Sequence, residues 1–133
     1  MKETVKSKLE RYNYAYSEKE HSLDINLGFS QYLIVDFARE GKVTFKDKLR
    51  GWNFITGFFD TNYKTAVLYQ TIGLFFAVIL MIVLSSYSEN VKFPFVFLLT
   101  GMSAWIIIWS FYYLIKLENM KKQIIFWIEN NCN

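Results

Sequence analysis

The sequence predicts an all-α membrane protein: a two-span transmembrane helical hairpin with amphipathic cytoplasmic or interfacial helices before and after it. Three observations lead there. Two long segments carry no charge, apolar residues recur at three-and-four spacing outside them, and the basic residues are distributed unevenly around them. The 133 residues are 53% hydrophobic and 20% aromatic with 20% charged, which excludes intrinsic disorder for most of the chain and leaves room for one small unit.

The N-terminal region, 1–64, reads as helical and cytoplasmic. A first helix over roughly Glu3 to Tyr16 places Val5, Leu9, Tyr12 and Tyr16 on one side, and SEKEHSLDINLG after it looks like a linker. Ser30 to Glu40, followed by Gly41, has the pattern of a short helix with a glycine stop. A hairpin competes for this stretch, because QYLIVDF and KVTF are both compatible with strands and flank the turn-like AREGK.

Residues 44–59, TFKDKLRGWNFITGFF, predict an amphipathic helix lying on the membrane. Thr44-x-x-Asp47 resembles a capping box, and Phe45, Leu49, Trp52, Ile55 and Phe59 fall on one face, with Lys46, Lys48 and Arg50 supplying charge for anionic headgroups. Each such cation is worth about 1 kcal/mol near an anionic surface.

The hairpin itself occupies 65–115. Thr65 to Leu84 gives 20 apolar-dominated residues within a span taken as 65–85, and Phe93 to Ile115 gives 23 uncharged ones, with an outer loop at 86–92. At about 1.5 Å rise per residue, 20 residues cover the roughly 30 Å of a bilayer core. Each segment holds 12 Leu, Ile, Phe or Val residues, worth roughly −4 to −7 kcal/mol on an insertion scale. Pro94 lies in the first turn, where its missing N–H costs little.

Of the 15 Lys and Arg residues, 11 precede the first span, three follow the second and only Lys92 lies between. The positive-inside rule therefore puts both termini in the cytoplasm, or in an organelle matrix, with a short loop outside. No apolar stretch near the N-terminus suggests a cleavable leader, so the first span is expected to act as the insertion signal of a bacterial inner-membrane protein.

Ala66, Gln70, Gly73 and Ala77 share one helix face in the first span, and Thr100, Gly101 and Ala104 offer small side chains in the second. Small residues allow the close backbone approach that drives helix association in lipid, so these seven are the expected packing residues, within one hairpin or between copies. Past the second span, Leu117, Met120, Ile124 and Trp127/Ile128 continue a three-and-four seam without a Gly or Pro breaker. The tail, 116–133, is thus expected to extend the helix as one amphipathic rod to Asn130.

Catalytic chemistry is sparse. His21 sits in the polar run SEKEHS, and Cys132 has no partner in sequence. HExxH, GxSxG, P-loop and GxGxxG patterns are absent, and Asp36, Glu40, Asp47 and Asp60 are explained by capping and ion pairs. The expectation is therefore a non-enzymatic protein without cofactor, metal or evident small-molecule substrate. The glutamates among Lys6, Lys8, Arg11 and the nearby tyrosines argue against nucleic acid. Its expected partners are membrane lipids, itself and other integral membrane subunits, in a self-assembling or accessory role. The alternative is a membrane-perturbing effector, pore-forming, holin-like or a defence-system toxin, which has only Gln70 to offer as a polar lining.

Overall fold

A computed structural model of the chain describes residues 1–39, 42–51, 54–55, 57–87 and 92–130. Its elements run α1 (Lys2–Arg11), β1 (Tyr16–Glu18), β2 (Ser22–Gly28), β3 (Gln31–Arg39), β4 (Lys42–Leu49), α2 (Tyr63–Tyr87) and α3 (Lys92–Glu129). The four strands form one antiparallel meander in the order β1-β2-β3-β4.

The fold is therefore α+β, and the all-α expectation is corrected at four places. The expected first helix ends at Arg11 and β1 begins at its Tyr16, the expected linker holds the rest of β1 and all of β2, the expected helix from Ser30 is β3, and the expected interfacial helix over 44–59 begins as β4. The competing hairpin over QYLIVDF and KVTF is the arrangement present, although Glu40 and Gly41 at its turn lie outside the described residues.

Period-two alternation explains each strand. Leu23, Ile25 and Leu27 of β2 and Leu33 and Val35 of β3 are buried on one face, while Asp24, Asn26, Tyr32 and Ile34 take the other. In β4, Val43 and Phe45 pack against the same core, and Lys46 and Lys48 alternate with them. The helical reading of this segment relied on Phe45 and Leu49, four apart. That spacing is one helical turn but also two strand repeats, so it could not discriminate. Cross-strand pairing of Val35 with Phe45 and of Leu33 with Asp47 settles it as strand.

The inner sheet face meets α1 and the last third of α3. Val5 and Leu9 of α1 join Leu117, Met120, Ile124 and Trp127 of α3 in one core with the β2 and β3 side chains. Tyr12 stacks on Trp127 with centroids 5.7 Å apart, and Lys2 and Lys6 each reach Glu18 of the short edge strand at 2.9 Å. The two helices form one layer and the sheet the other, so each covers what its partner would expose to water.

The stripe that α3 presents is continuous. Leu99, Ser103, Ile106, Ser110, Tyr113, Leu117, Met120, Ile124 and Trp127 alternate steps of four and three, and all are buried or half-buried. Heptad spacing keeps one side of a helix facing one direction. Its first half faces α2 and its second half faces the sheet and α1, so one rod of 38 residues joins the two parts of the molecule.

The first parts of α2 and α3 differ from that core. Their side chains are exposed around nearly the whole circumference: Phe75 and Phe76 on α2, Phe97 and Ile108 on α3, with Phe97 at 76%. Both helices are long and apolar enough to cross a membrane. A helix apolar on all sides and uncovered by its own chain matches lipid, not water.

Candidate functional site

The distinctive chemistry lies where the sheet meets the two apolar helices. The β2–β3 connection is a two-residue turn in which Phe29 and Ser30 both have positive φ, 48° and 63°, after Gly28 at 85°. Positive φ at both central residues is the twist that closes a tight hairpin, and it usually falls to Asn-Gly. A phenylalanine there costs roughly 1–2 kcal/mol of local strain. Contacts to α3 offset it. The Tyr113 hydroxyl donates to the Phe29 carbonyl at 2.7 Å, and Gln31 Nε2 donates to the Tyr113 carbonyl at 2.8 Å. The Phe29 ring meets Phe54, Trp109 and Tyr112 edge-on, and the Lys116 ammonium lies 5.8 Å from its centroid. Gln31 and Tyr113 are fully buried, so this clamp sits in a dry environment.

A second fastening joins β4 to α2. Asp47 accepts the Tyr63 N–H, Asn62 Oδ1 accepts the Thr65 N–H at 2.8 Å, and the Tyr63 hydroxyl donates to the Ser110 carbonyl at 3.0 Å. Asp47 and Asn62 thus satisfy orphan donors of a helix N-terminus, where negative charge is also favoured by the dipole. Asp47, expected in the capping box of a helix over 44–59, lies instead in β4 and caps α2 from that strand.

On the outer sheet face Asp24 is 1% exposed, and its Oδ2 accepts from Lys19 and Arg50, both at 2.8 Å. Burial pushes this carboxyl up, but the hydrogen bonds and charges of Lys19 and Arg50 outweigh it and hold the group below the usual carboxylate range. Arg50 also lies over the Tyr32 ring at 5.0 Å. The network ties β1, β2 and the end of β4 together.

The segment after β4 enters the mouth of the helix hairpin. Gln70 Nε2 on α2 donates to the Ile55 carbonyl, and Trp105 Nε1 on α3 donates to the Phe54 carbonyl at 3.2 Å. Phe54 stacks on Trp109 at 3.8 Å. Irregular backbone that lies against apolar helices requires such internal partners. Beside the segment lies a cavity of about 520 Å³ bounded by Phe54, Leu74, Met102, Trp105 and Ile106, with Gly73 and Gly101 in its walls. A second, of about 620 Å³, is bounded by Phe59, Asp60, Thr61 and Tyr69, and the two share Ile55 and Gln70.

The seven expected packing residues separate into three groups. Ala66 is buried against Leu49, Ile55 and Tyr113, and Ala77 is half-buried. Gln70, Gly73 and Gly101 line the cleft, and a Cβ at either glycine would meet nothing within 4 Å. Thr100 and Ala104 are exposed, one turn apart. The less exposed side of this part of α3 carries Leu99, Ser103 and Ile106.

Of the residues expected at a membrane-facing helix, Phe45 and Leu49 point into the protein cores, Ile55 is buried and Phe59 is exposed. Lys46, Lys48 and Arg50 share the outer sheet face. That helix does not form, because β4 pairs with β3. Trp52 lies outside the described residues, as does Cys132; His21 is exposed, 3.9 Å from Glu20. Among the described residues no group of three or more His, Cys, Asp or Glu could hold a metal ion.

Sequence reasoning missed Phe29, Gln31 and Tyr113. The one signal was Asn26-Leu27-Gly28 ahead of an apolar alternation: the Asn26 side chain accepts the Gly28 N–H at 2.8 Å, a local turn-forming bond. No protein-family model matches the chain, and no curated protein or solved structure is significantly similar to it.

Proposed function

We propose that this chain is a non-enzymatic integral membrane protein that works as a subunit, assembling with itself or with other membrane proteins. The observation that carries this reading is the uncovered surface of the hairpin. The chain buries the apolar stripe of α3 but leaves the other sides of both apolar helices open. On the outer side of α3, Thr100 and Ala104 form a small-x-x-x-small pair that the hairpin does not use. Such a pair lets a second helix approach closely in lipid.

The proposed orientation is a bacterial inner membrane with the sheet and both termini in the cytoplasm. It is supported by the packing of α1 against the end of α3, which brings both terminal regions to one side, and by the 11 basic residues before the first span. Against the pore-forming alternative stands the position of Gln70, whose amide is tied to the Ile55 carbonyl and does not face outward as a pore lining.

The test is purification of the tagged chain in mild detergent at native expression, with native mass and co-purifying chains read by mass spectrometry. A defined homo-oligomer, or a fixed set of unlike chains, supports the proposal, and Ala104→Leu should disperse it. A monomer without partners overturns it.

A further inference from the structure

We infer that the cleft beside Phe54–Ile55 is a lipid site that selects a phospholipid with a primary ammonium headgroup. The inference rests on the membrane location proposed above but not on assembly, because Thr100 and Ala104 lie outside the cleft.

The two cavities adjoin, with Ile55 and Gln70 in the walls of both, and differ in chemistry. The first runs along the spans and is walled by Leu74, Met102, Trp105 and Ile106. Gly73 and Gly101 supply no side chain, and a Cβ added at either finds open space. Two glycines at one level of a lipid-exposed hairpin, facing a void and not each other, leave room for an alkyl chain. The second cavity lies toward the sheet, and Asp60 is the charged residue in its wall among the described residues. Each volume falls in the range of about 300–1,000 Å³ usual for small-molecule sites.

The charged group among the described wall residues is a carboxylate, and the hydroxyls of Thr61 and Tyr69 stand beside it. Asp60 Oδ1 takes the Gly51 N–H at 2.7 Å, but a carboxylate carries further lone pairs. Gln70 gives one Nε2 hydrogen to the Ile55 carbonyl, and its Oε1 is buried with no partner among the described residues. A carboxylate beside an apolar slot favours an amphiphile whose head is cationic and donates hydrogen bonds. A primary ammonium supplies three N–H groups and a positive charge; a trimethylated head has the charge but no donor, and a glycerol head has donors but no positive charge. A partner helix is a poorer occupant. At about 10 Å across it does not fit beneath a segment pinned to both α2 and α3 by Gln70 and Trp105.

The test uses the full chain in nanodiscs containing equal parts of phosphatidylethanolamine, phosphatidylcholine and phosphatidylglycerol with matched acyl chains. The lipids retained on release are identified by native mass spectrometry. The ethanolamine lipid should be retained about tenfold over the choline lipid, as expected for a charge-assisted hydrogen bond. Asp60→Asn should bring that ratio near one while lipid is still held. Gly73→Leu and, separately, Gly101→Leu should each fill the slot and remove retention. Protease resistance of the sheet identifies a variant that has lost its fold, and the other filling variant then decides. Equal retention of all three lipids, preference for the anionic one, or undiminished retention in a folded filling variant overturns the inference. A chain that remains in solution without detergent removes the membrane location itself, a result distinct from any lipid preference.

Discussion

The two ends of α3 are packed by opposite rules. From Leu117 to Trp127 the helix exposes Lys122 and Gln123 together with Ile125 and Phe126, and hides one stripe under the sheet and α1. In the first half of the helix the same stripe faces α2, while the remaining sides are apolar and open. A single uninterrupted helix thus serves two solvents, and the change in what surrounds it falls at Tyr113, where the β2–β3 turn is clamped. At the sheet end stability comes from removing apolar area from water; along the apolar helices that drive is absent, and close packing and hydrogen bonds replace it.

The largest test of this contrast is truncation at both ends. Leu33→Ala, in the sheet core, should cost about 2–5 kcal/mol, whereas Ile108→Ala, 64% exposed on α3, should stay within about 0.5 kcal/mol. Thermal unfolding in detergent, followed by circular dichroism, reads both. Comparable losses would mean that the apolar surface of α3 is buried in an assembly even in detergent.

Acid sharpens the comparison next, because the buried carboxylate belongs to the sheet end. Asp24 has a folded pKa below its unfolded value, so its contribution is complete above the ordinary carboxylate value of about 4 and is lost as the pH falls through the depressed folded value. Asp24→Asn should flatten that part of the acid-unfolding curve, monitored by near-ultraviolet dichroism, while lowering stability at neutral pH. A curve as steep as that of the unmodified chain would assign the acid transition to other groups.

The clamp between the two regions should yield a smaller effect. Tyr113→Phe removes one hydrogen bond to the Phe29 carbonyl and should cost about 1 kcal/mol, with coupling to Gln31→Leu in a double-mutant cycle. Additive losses would show that the two hydrogen bonds act independently. Smallest of all, Gly101→Ala places its Cβ in open space and should shift stability by less than about 1 kcal/mol, in the stabilising direction expected for a helix interior. A marked destabilisation would mean that the void is filled by something the Cβ displaces.

Legibility followed length and redundancy of pattern. The apolar segments were readable because an uncharged run of spanning length has few alternative explanations, and Leu117, Met120, Ile124 and Trp127 repeat often enough to define one side of a helix. The strands were not readable with the same security. β2 has three buried apolar residues interleaved with Asp24 and Asn26, which in isolation resemble a polar linker. β4 contains the ambiguous Phe45–Leu49 spacing. The cleft was visible only as a list of small residues, because Gly73 and Gly101 look the same in sequence whether they meet a neighbouring helix or a void.

Legible in the order of residues alone were the two helices long and apolar enough to cross a membrane, the unbroken rod of α3 and its three-and-four stripe. Each depends on local composition and on the helical repeat. Only the tertiary structure decided that the segment before the spans is a sheet, that Phe29 occupies a strained turn, and that Asp24, Gln31 and Tyr113 are buried with partners far away in the chain. Strand pairing and buried polar contacts are interactions between distant residues, and Gln31 finds Tyr113 only once β3 is paired and laid against α3.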